Sequence, residues 1–400
     1  MLALALTLLA VPIEVSGAAT VETQAGTDAI TNERSETANL SATLQALGRL
    51  EGGAQLSLLD VPRLTWASPV GTAPQNLSVF NAGTAALELT WPRTRLRLTE
   101  SYGFGKQDFS VLSQSLQADP ANPTAPPTTG RVPEQRFLPH YTTSTALALD
   151  AAHTRAFRTT ATVTFTAGGG LGTAGRTALP WQQTLGGTLL ANLLVSSLDT
   201  ASAQVNSTVS RSDDGTQTLA VGGSIGWRRL LAPTTSGALT LGVAVLINHA
   251  PQSATGAAIV SGDLTTPVPT LSASLTHGGL VGATRFAFAL DGKAEPAVDF
   301  LTGALYLRGS GRLTGSFSPQ PSLTFSATLL GDRILSGDLR GAWGGGAELA
   351  GTLRFTELSG LRLSARSAIV TPAAVLLPDA PVPRLWNVVA SVYVGGHDRF

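Results

Sequence analysis

No cysteine occurs among the 400 residues. A disulfide framework and a thiolate metal site are therefore both excluded. Charge is scarce as well. Charged residues make up 13% of the chain, about half the usual share of a soluble domain. Net charge is zero, so composition gives no argument for a nucleic-acid-binding surface. Lysine is nearly absent: Lys106 and Lys293 are the two, and the other 24 of the 26 basic residues are arginine. Long apolar runs are missing too. A membrane-spanning helix needs about 20 consecutive apolar residues. Beyond the N-terminus the richest stretch, Ala238 to Ile247, is broken by Thr240 and Gly242. Mean hydropathy is nonetheless positive. A chain that is apolar on average but not in blocks is one in which apolar and polar residues alternate.

Alternation with period two is what the chain has in abundance, and it marks half-buried strands. In Phe157 to Thr166, Phe157, Thr159, Ala161, Val163 and Phe165 fall on one face. Arg158, Thr160, Thr162, Thr164 and Thr166 fall on the other. Leu239, Leu241, Val243, Val245 and Ile247 oppose Thr240, Gly242 and Ala244. Leu323, Phe325, Ala327 and Leu329 oppose Ser322, Thr324, Ser326 and Thr328. The three-and-four spacing of an amphipathic helix is absent from these stretches.

The charged residues follow the polar face. Arg93, Arg95 and Arg97 share one side while Leu96 and Leu98 take the other. Asp338 and Arg340 oppose Leu339 and Trp343; Glu348 and Arg354 oppose Leu349, Leu353 and Phe355. Arg158, Arg362 and Arg366 belong to the same class. In hydrocarbon a midplane arginine costs about 2–4 kcal/mol; turned to water it costs little. The apolar face is therefore expected to meet lipid. These ten residues are the candidate lining of a wet interior, either selecting solutes by charge or pairing to stiffen the wall.

Turn signals divide the pattern into about eighteen strands, starting near residues 54, 84, 94, 143, 156, 185, 200, 216, 236, 269, 282, 298, 310, 321, 333, 346, 359 and 385. An error of one hairpin would give sixteen. Tight connections such as Trp91-Pro92-Arg93 alternate with long ones such as residues 105–142 and 249–268, the parity of short periplasmic turns and longer outer loops. Trp66, Trp91, Tyr102, Phe104, Trp227, Trp343 and Trp386 sit near strand ends, where interfacial girdles lie. The fold expected is all-β: a single transmembrane, antiparallel, up-and-down β-barrel closed by the C-terminal strand.

Trp386 to Phe400 resembles the closing strand of Gram-negative outer-membrane β-barrels. In that superfamily the last strand ends in an aromatic residue read by the barrel-assembly machinery. Phe400 shares a face with Val394, Val392, Ala390 and Val388, although Gly396 and Asp398 interrupt it. The resemblance covers residues 54–400 as pattern and Phe400 as motif. It implies an outer-membrane location, outer-membrane lipid and the assembly machinery as partners, and periplasmic export partners if a polymer is carried. Leu2 to Ile13, followed by Val15-Ser16-Gly17-Ala18-Ala19, reads as a signal peptide over residues 1–19 that lacks the usual positive start. Residues 20–53, with Glu22, Asp28, Glu33, Arg34 and Glu36, read as a flexible or helical periplasmic lead-in.

Two catalytic motifs fail on context. Gly222-Gly223-Ser224-Ile225-Gly226 matches a nucleophile elbow, which needs a strand, a sharp turn and a helix. The alternation of Val221, Ile225 and Trp227 instead runs straight through it. Gly170 to Gly175 matches a dinucleotide fingerprint, but Pro180 and Trp181 place a loop where a helix should open. His140, His153, His249, His277 and His397 show no metal-ligand spacing and read as solvated residues of loops, turns and the chain end. Neither an enzyme nor a cofactor is expected. The function expected is passage of solutes or exported polysaccharide across the outer membrane. The alternatives are a structural barrel with a plugged lumen and a secreted β-rich adhesin.

Overall fold

The computed structural model describes residues 13–27, 34–50, 52–67, 76–108, 137–173, 176, 181–213, 215, 217–249, 267–298, 305–336, 343–356, 359–369 and 384–399. They form eighteen strands: β1 (Ile13–Thr27), β2 (Arg34–Leu50), β3 (Ala54–Ala67), β4 (Asn76–Thr90), β5 (Thr94–Asp108), β6 (Phe137–Ala152), β7 (Phe157–Gly170), β8 (Gln182–Leu194), β9 (Asp199–Ser212), β10 (Gln217–Ala232), β11 (Thr235–His249), β12 (Pro267–Val281), β13 (Thr284–Val298), β14 (Leu305–Gln320), β15 (Leu323–Ser336), β16 (Trp343–Arg354), β17 (Ser359–Ile369) and β18 (Arg384–Arg399). Each strand pairs antiparallel with its neighbours in sequence, and β1 pairs with both β2 and β18. The ladder is therefore a closed ring with no free edge, which satisfies the backbone polar groups of every strand without water.

Closure corrects the reading of the N-terminus. Residues 13–27 and 34–50, which overlap the expected signal peptide (1–19) and lead-in (20–53), are the first two strands of the ladder. A cut after Ala19 would remove the half of β1 that pairs Glu14–Ala19 with Arg399–Val394. The polar composition misled because β1 uses small residues outward (Gly17, Ala19) and acids inward (Glu14, Glu22). The strand total agrees with the expected eighteen, yet through two pairs of compensating differences. β1 and β2 were absent from the expectation, and the starts near 298 and 333 are not strand starts. Val298 ends β13, and Arg333 lies inside β15. Asp332-Arg333 after Gly331 looks like a turn, but Asp332 pairs with Ser310 and the ladder runs on. The nucleophile-elbow match lies wholly within β10, and Gly172 of the other match takes a φ of +72° just beyond β7.

Odd-numbered strands other than β9, whose link to β10 is residues 213–216, end at the longer connections, such as residues 109–136 after β5 and 250–266 after β11. Even-numbered strands end at tight ones, such as 91–93, 153–156 and 282–283. The tight end is held by backbone bonds, including Thr94 N–H to Trp91 O and Phe355 N–H to Ser359 O. Gly53, in the turn from β2 to β3, has a φ of +83° and lies so close to the Thr90 carbonyl that a Cβ would come within 2.7 Å of it. Only glycine fits there without strain.

Across the ring the two faces stay distinct. Leu87, Leu98, Leu147 and Val163 stand in one cross-strand row, and Ala86, Thr99, Ala146 and Thr164 in the row on the opposite face. The first face carries the large exposed side chains, among them Val163 at 50%, Leu241 at 50% and Leu349 at 64%. A packed, dry centre would bury those residues, so this face is the exterior. Trp91, Trp227 and Phe355 stand exposed at the tight-turn end, and Trp66, Phe104, Trp343 and Trp386 toward the long-connection end. An apolar band between two aromatic girdles is the exterior of a membrane-spanning barrel, and an even strand number is the bacterial outer-membrane form.

Candidate functional site

The inner wall is the other face of the same strands, and alternation alone decides what reaches it. Arg95 and Arg97 (β5), Arg158 (β7), Glu348 and Arg354 (β16), and Arg362 and Arg366 (β17) all lie inward by register. Arg93 does not belong to a strand: it sits in the tight turn after β4, where its carbonyl accepts the Ala152 N–H. Pro92, which cannot continue a ladder, sets that turn. Asp338, Arg340 and Phe400 lie outside the described residues.

Inward ion pairs form diagonally between neighbouring strands, and in one case along a single strand. Arg362 Nη2 lies 3.6 Å from Glu348 Oε1 across β16 and β17. Arg95 pairs with Glu88 across β4 and β5. Arg308 Nη2 lies 3.2 Å from Asp332 Oδ2, and Lys293 Nζ lies 2.6 Å from Glu295 Oε1. In a wet lumen such pairs are worth about 0–1 kcal/mol each, so they order the wall more than they stabilise it. Among the described residues Arg97, Arg158, Arg354 and Arg366 make no ion pair.

Charge is divided unevenly around the ring. On β14–β17 the described inward side chains include five arginines (Arg308, Arg312, Arg354, Arg362 and Arg366) and two carboxylates (Asp332 and Glu348). The arginines are staggered in height. Arg354 lies at the tight-turn end of β16, Arg362 and Arg366 three and seven residues along β17, and Arg312 and Arg308 eight and twelve residues up β14. They form a cationic track up β14–β17, met on β13 by Asp291 opposite Arg312 and Glu295 opposite Arg308. The inward face of β8–β12 is its opposite. Thr184, Thr188, Gln204, Asn206, Ser224 and Thr240 are typical of it, and Arg228 near the end of β10 is its one charge among the described residues. Those hydroxyl and amide groups bond across the ladder: Gln182 Nε2 donates to Ser210 Oγ at 2.7 Å, and Ser236 and Thr276 meet at 2.8 Å.

Alternation had placed the arginines of β5, β7, β16 and β17 inward. It did not bring out Arg308, Arg312, Lys293 and Asp332, although Leu307, Leu313 and Leu329 flank them in phase. The strand boundary expected near 310 cut through the middle of β14. Two histidines also differ from expectation. His140 is an inward residue of β6, 4% exposed, stacked on Phe80 with ring centroids 5.1 Å apart. His277 is a residue of β12 that hydrogen-bonds to Thr235. No group of three or more potential metal ligands occurs among the described residues.

No protein-family model matches the chain, and no curated protein does. Solved structures do match along nearly its whole length. OpdK of Pseudomonas aeruginosa is 10% identical, with 98% of this chain and 100% of that chain covered and a TM-score of 0.48. OccAB1 of Acinetobacter baumannii is 12% identical, with 96% of each chain covered and a TM-score of 0.48. OccK2 (OpdF) of P. aeruginosa, solved in complex with glucuronate, is 12% identical, with 96% of each chain covered and a TM-score of 0.45. Likeness at this level carries no argument about the present chain, whose fold rests on its own ladder.

Proposed function

We propose that this barrel is an outer-membrane passage for small solutes, with a preference for anions. Eighteen strands enclose a lumen wide enough for water, as in barrels of 16–18 strands. The observation that carries the anion preference is the cationic track on β14–β17, where five arginines stand against two carboxylates. A ring or column of arginine in a low-dielectric pore attracts anions and repels cations. The staggered heights matter, because an anion leaving one guanidinium finds the next within a few residues' rise.

The test is electrical. Protein refolded in detergent and inserted in a planar bilayer should give steady single-channel conductance. Under a potassium chloride gradient the reversal potential should carry the sign of chloride selectivity. Silent insertions would replace the open passage by a plugged barrel, and cation selectivity would reject the role given to the track.

Passage of polymer is a second reading, and the uncharged hydroxyl and amide wall of β8–β12 favours it. Such groups exchange hydrogen bonds with sugar hydroxyls as readily as with water. Block of the chloride current by a neutral linear oligosaccharide would support it; an unchanged current at millimolar oligosaccharide would not.

A further inference from the structure

We infer that the outward face of β3–β6 is covered by protein rather than lipid, and that the protein is a second copy of this chain docked through its β13–β16 face. The first half of the inference rests on a break in the apolar exterior. Asp60, Tyr102 and Thr143 stand in one outward row, and Glu100 and Thr145 in the next. They share the face of Leu98, Leu147 and Val163. Tyr102 donates its hydroxyl proton to Asp60 Oδ1 at 2.8 Å and accepts from Asn81 Nδ2 at 3.2 Å. Thr143 donates to Glu100 Oε1 at 2.9 Å, and Thr145 also donates to that carboxylate.

Both carboxylates lie six residues along their strands from the tight-turn end. At roughly 2.5 Å of height per residue for a strand tilted about 40°, that is ~15 Å up, in the middle of the apolar band. Among the described residues Asp60 and Glu100 are the two outward carboxylates placed between the girdles. The other outward charges, such as Asp199, Arg229, Arg211 and Arg333, lie near the strand ends. Carboxyl groups facing hydrocarbon at that depth are costly. A protein neighbour with a cation and donors removes the cost.

The complement is on the same chain. Gly292, Gly311, Gly331 and Gly345 face one another directly across β13–β16 on the outside. A Cβ placed at Gly331 meets nothing within 4 Å, so the row is a trough. It lies eight residues up β15, the height of Tyr102 on β5. Exposed Arg333 stands just above it, about 10 Å above the carboxylates, which an extended arginine and a glutamate span together. A face carrying two carboxylates thus meets a glycine-floored one whose single described outward charge is the cation Arg333. A two-fold pairing of β3–β6 with itself would instead set carboxylates against carboxylates at equal height. The two faces lie eight of eighteen strand intervals apart the shorter way round, about 160°. A head-to-tail contact with that angle closes no small ring and builds rows.

Because the chain has no cysteine, cross-linking is clean. Thr145→Cys and Gly331→Cys, carried on separately tagged copies in one membrane, would be treated with a mild thiol oxidant. The oxidant takes up the two thiol hydrogens and their electrons as the disulfide forms. The expected product is a mixed-tag dimer, and with both cysteines on one chain a ladder of higher species. Thr145→Cys homodimers alone, adducts to a protein of another mass alone, or no adduct at all would each overturn the inference. Asp60→Leu with Glu100→Leu supplies the second arm. This variant should keep heat-modifiable migration and lose the ladder; a ladder that persists in the folded variant would also overturn it. Conductance is read separately, so failure of the row leaves the passage untouched.

Discussion

Replacing Val163 by arginine tests the assignment of the two faces where it is most exposed to error. Val163 is half exposed, stands beside Leu147, and lies six residues along β7 from Phe157, ~15 Å above the tight-turn end. An arginine there would sit near the bilayer midplane. The expected loss is about 2–4 kcal/mol, or roughly 30- to 700-fold in the folding constant. The control is one residue away. Thr162 pairs with Ala148 and Thr188 on the inner wall, so Thr162→Arg enters a watery lumen and should change stability by no more than about 0.5 kcal/mol. Guanidinium titration of both variants refolded into phospholipid vesicles, followed by tryptophan fluorescence, measures the difference directly. Equal losses would refute the face assignment. A larger loss for Thr162→Arg would invert it, and the membrane placement would fall with it.

The remaining predictions address the track, a turn, the seam and one ion pair. Changing Arg354, Arg362 and Arg366 to glutamine should bring the chloride-to-potassium permeability ratio toward one with little change in conductance, measured by reversal potential. Gly53→Ala should destabilise by about 1–3 kcal/mol in the same titration, because φ at +83° is strained for alanine and its Cβ meets the Thr90 carbonyl. Ala19→Pro removes a ladder donor from the strand between β18 and β2, and should abolish heat-modifiable migration in detergent gels. Asp332→Asn releases Arg308 to the lumen and should strengthen chloride selectivity, while a weakened selectivity would show that Asp332 does not neutralise the track.

What the sequence made legible was parity. Wherever a strand was placed, the face of each side chain followed, because a period of two leaves no other choice. Arg95, Arg97, Arg158, Glu348, Arg354, Arg362 and Arg366 were put on the polar face for that reason. Ion-pair partners were not legible, since register sets Arg366 opposite Glu348 and yet Arg362 is the arginine 3.6 Å away, and nothing local says that Phe80 stacks on His140. Boundaries were legible only where a turn residue was unambiguous. Gly331-Asp332-Arg333 reads as a turn by composition, yet its residues alternate outward, inward, outward in phase with Leu329, and phase was the better witness. The same test applied to Ile13–Thr27 finds Val15, Gly17, Ala19 and Val21 on one side and Glu14, Ser16, Thr20 and Glu22 on the other. That alternation is weak in hydropathy and complete in period.

The same reasoning bears on Glu100 and Tyr102. They alternate with Thr99 and Ser101 in step with Leu98 and Phe104, so period alone assigns them to the lipid side, against every rule of composition. In β15 and β1, where phase and composition disagreed, the ladder followed phase, because cross-strand hydrogen bonds hold backbone pleat and cannot turn one side chain over without turning its whole strand. A polar residue in an outward phase is therefore not evidence against the strand. It is evidence about what the exterior touches at that height. On β3–β6 the exterior has two carboxylates where hydrocarbon should be, and the closed ladder leaves them no means of facing the lumen.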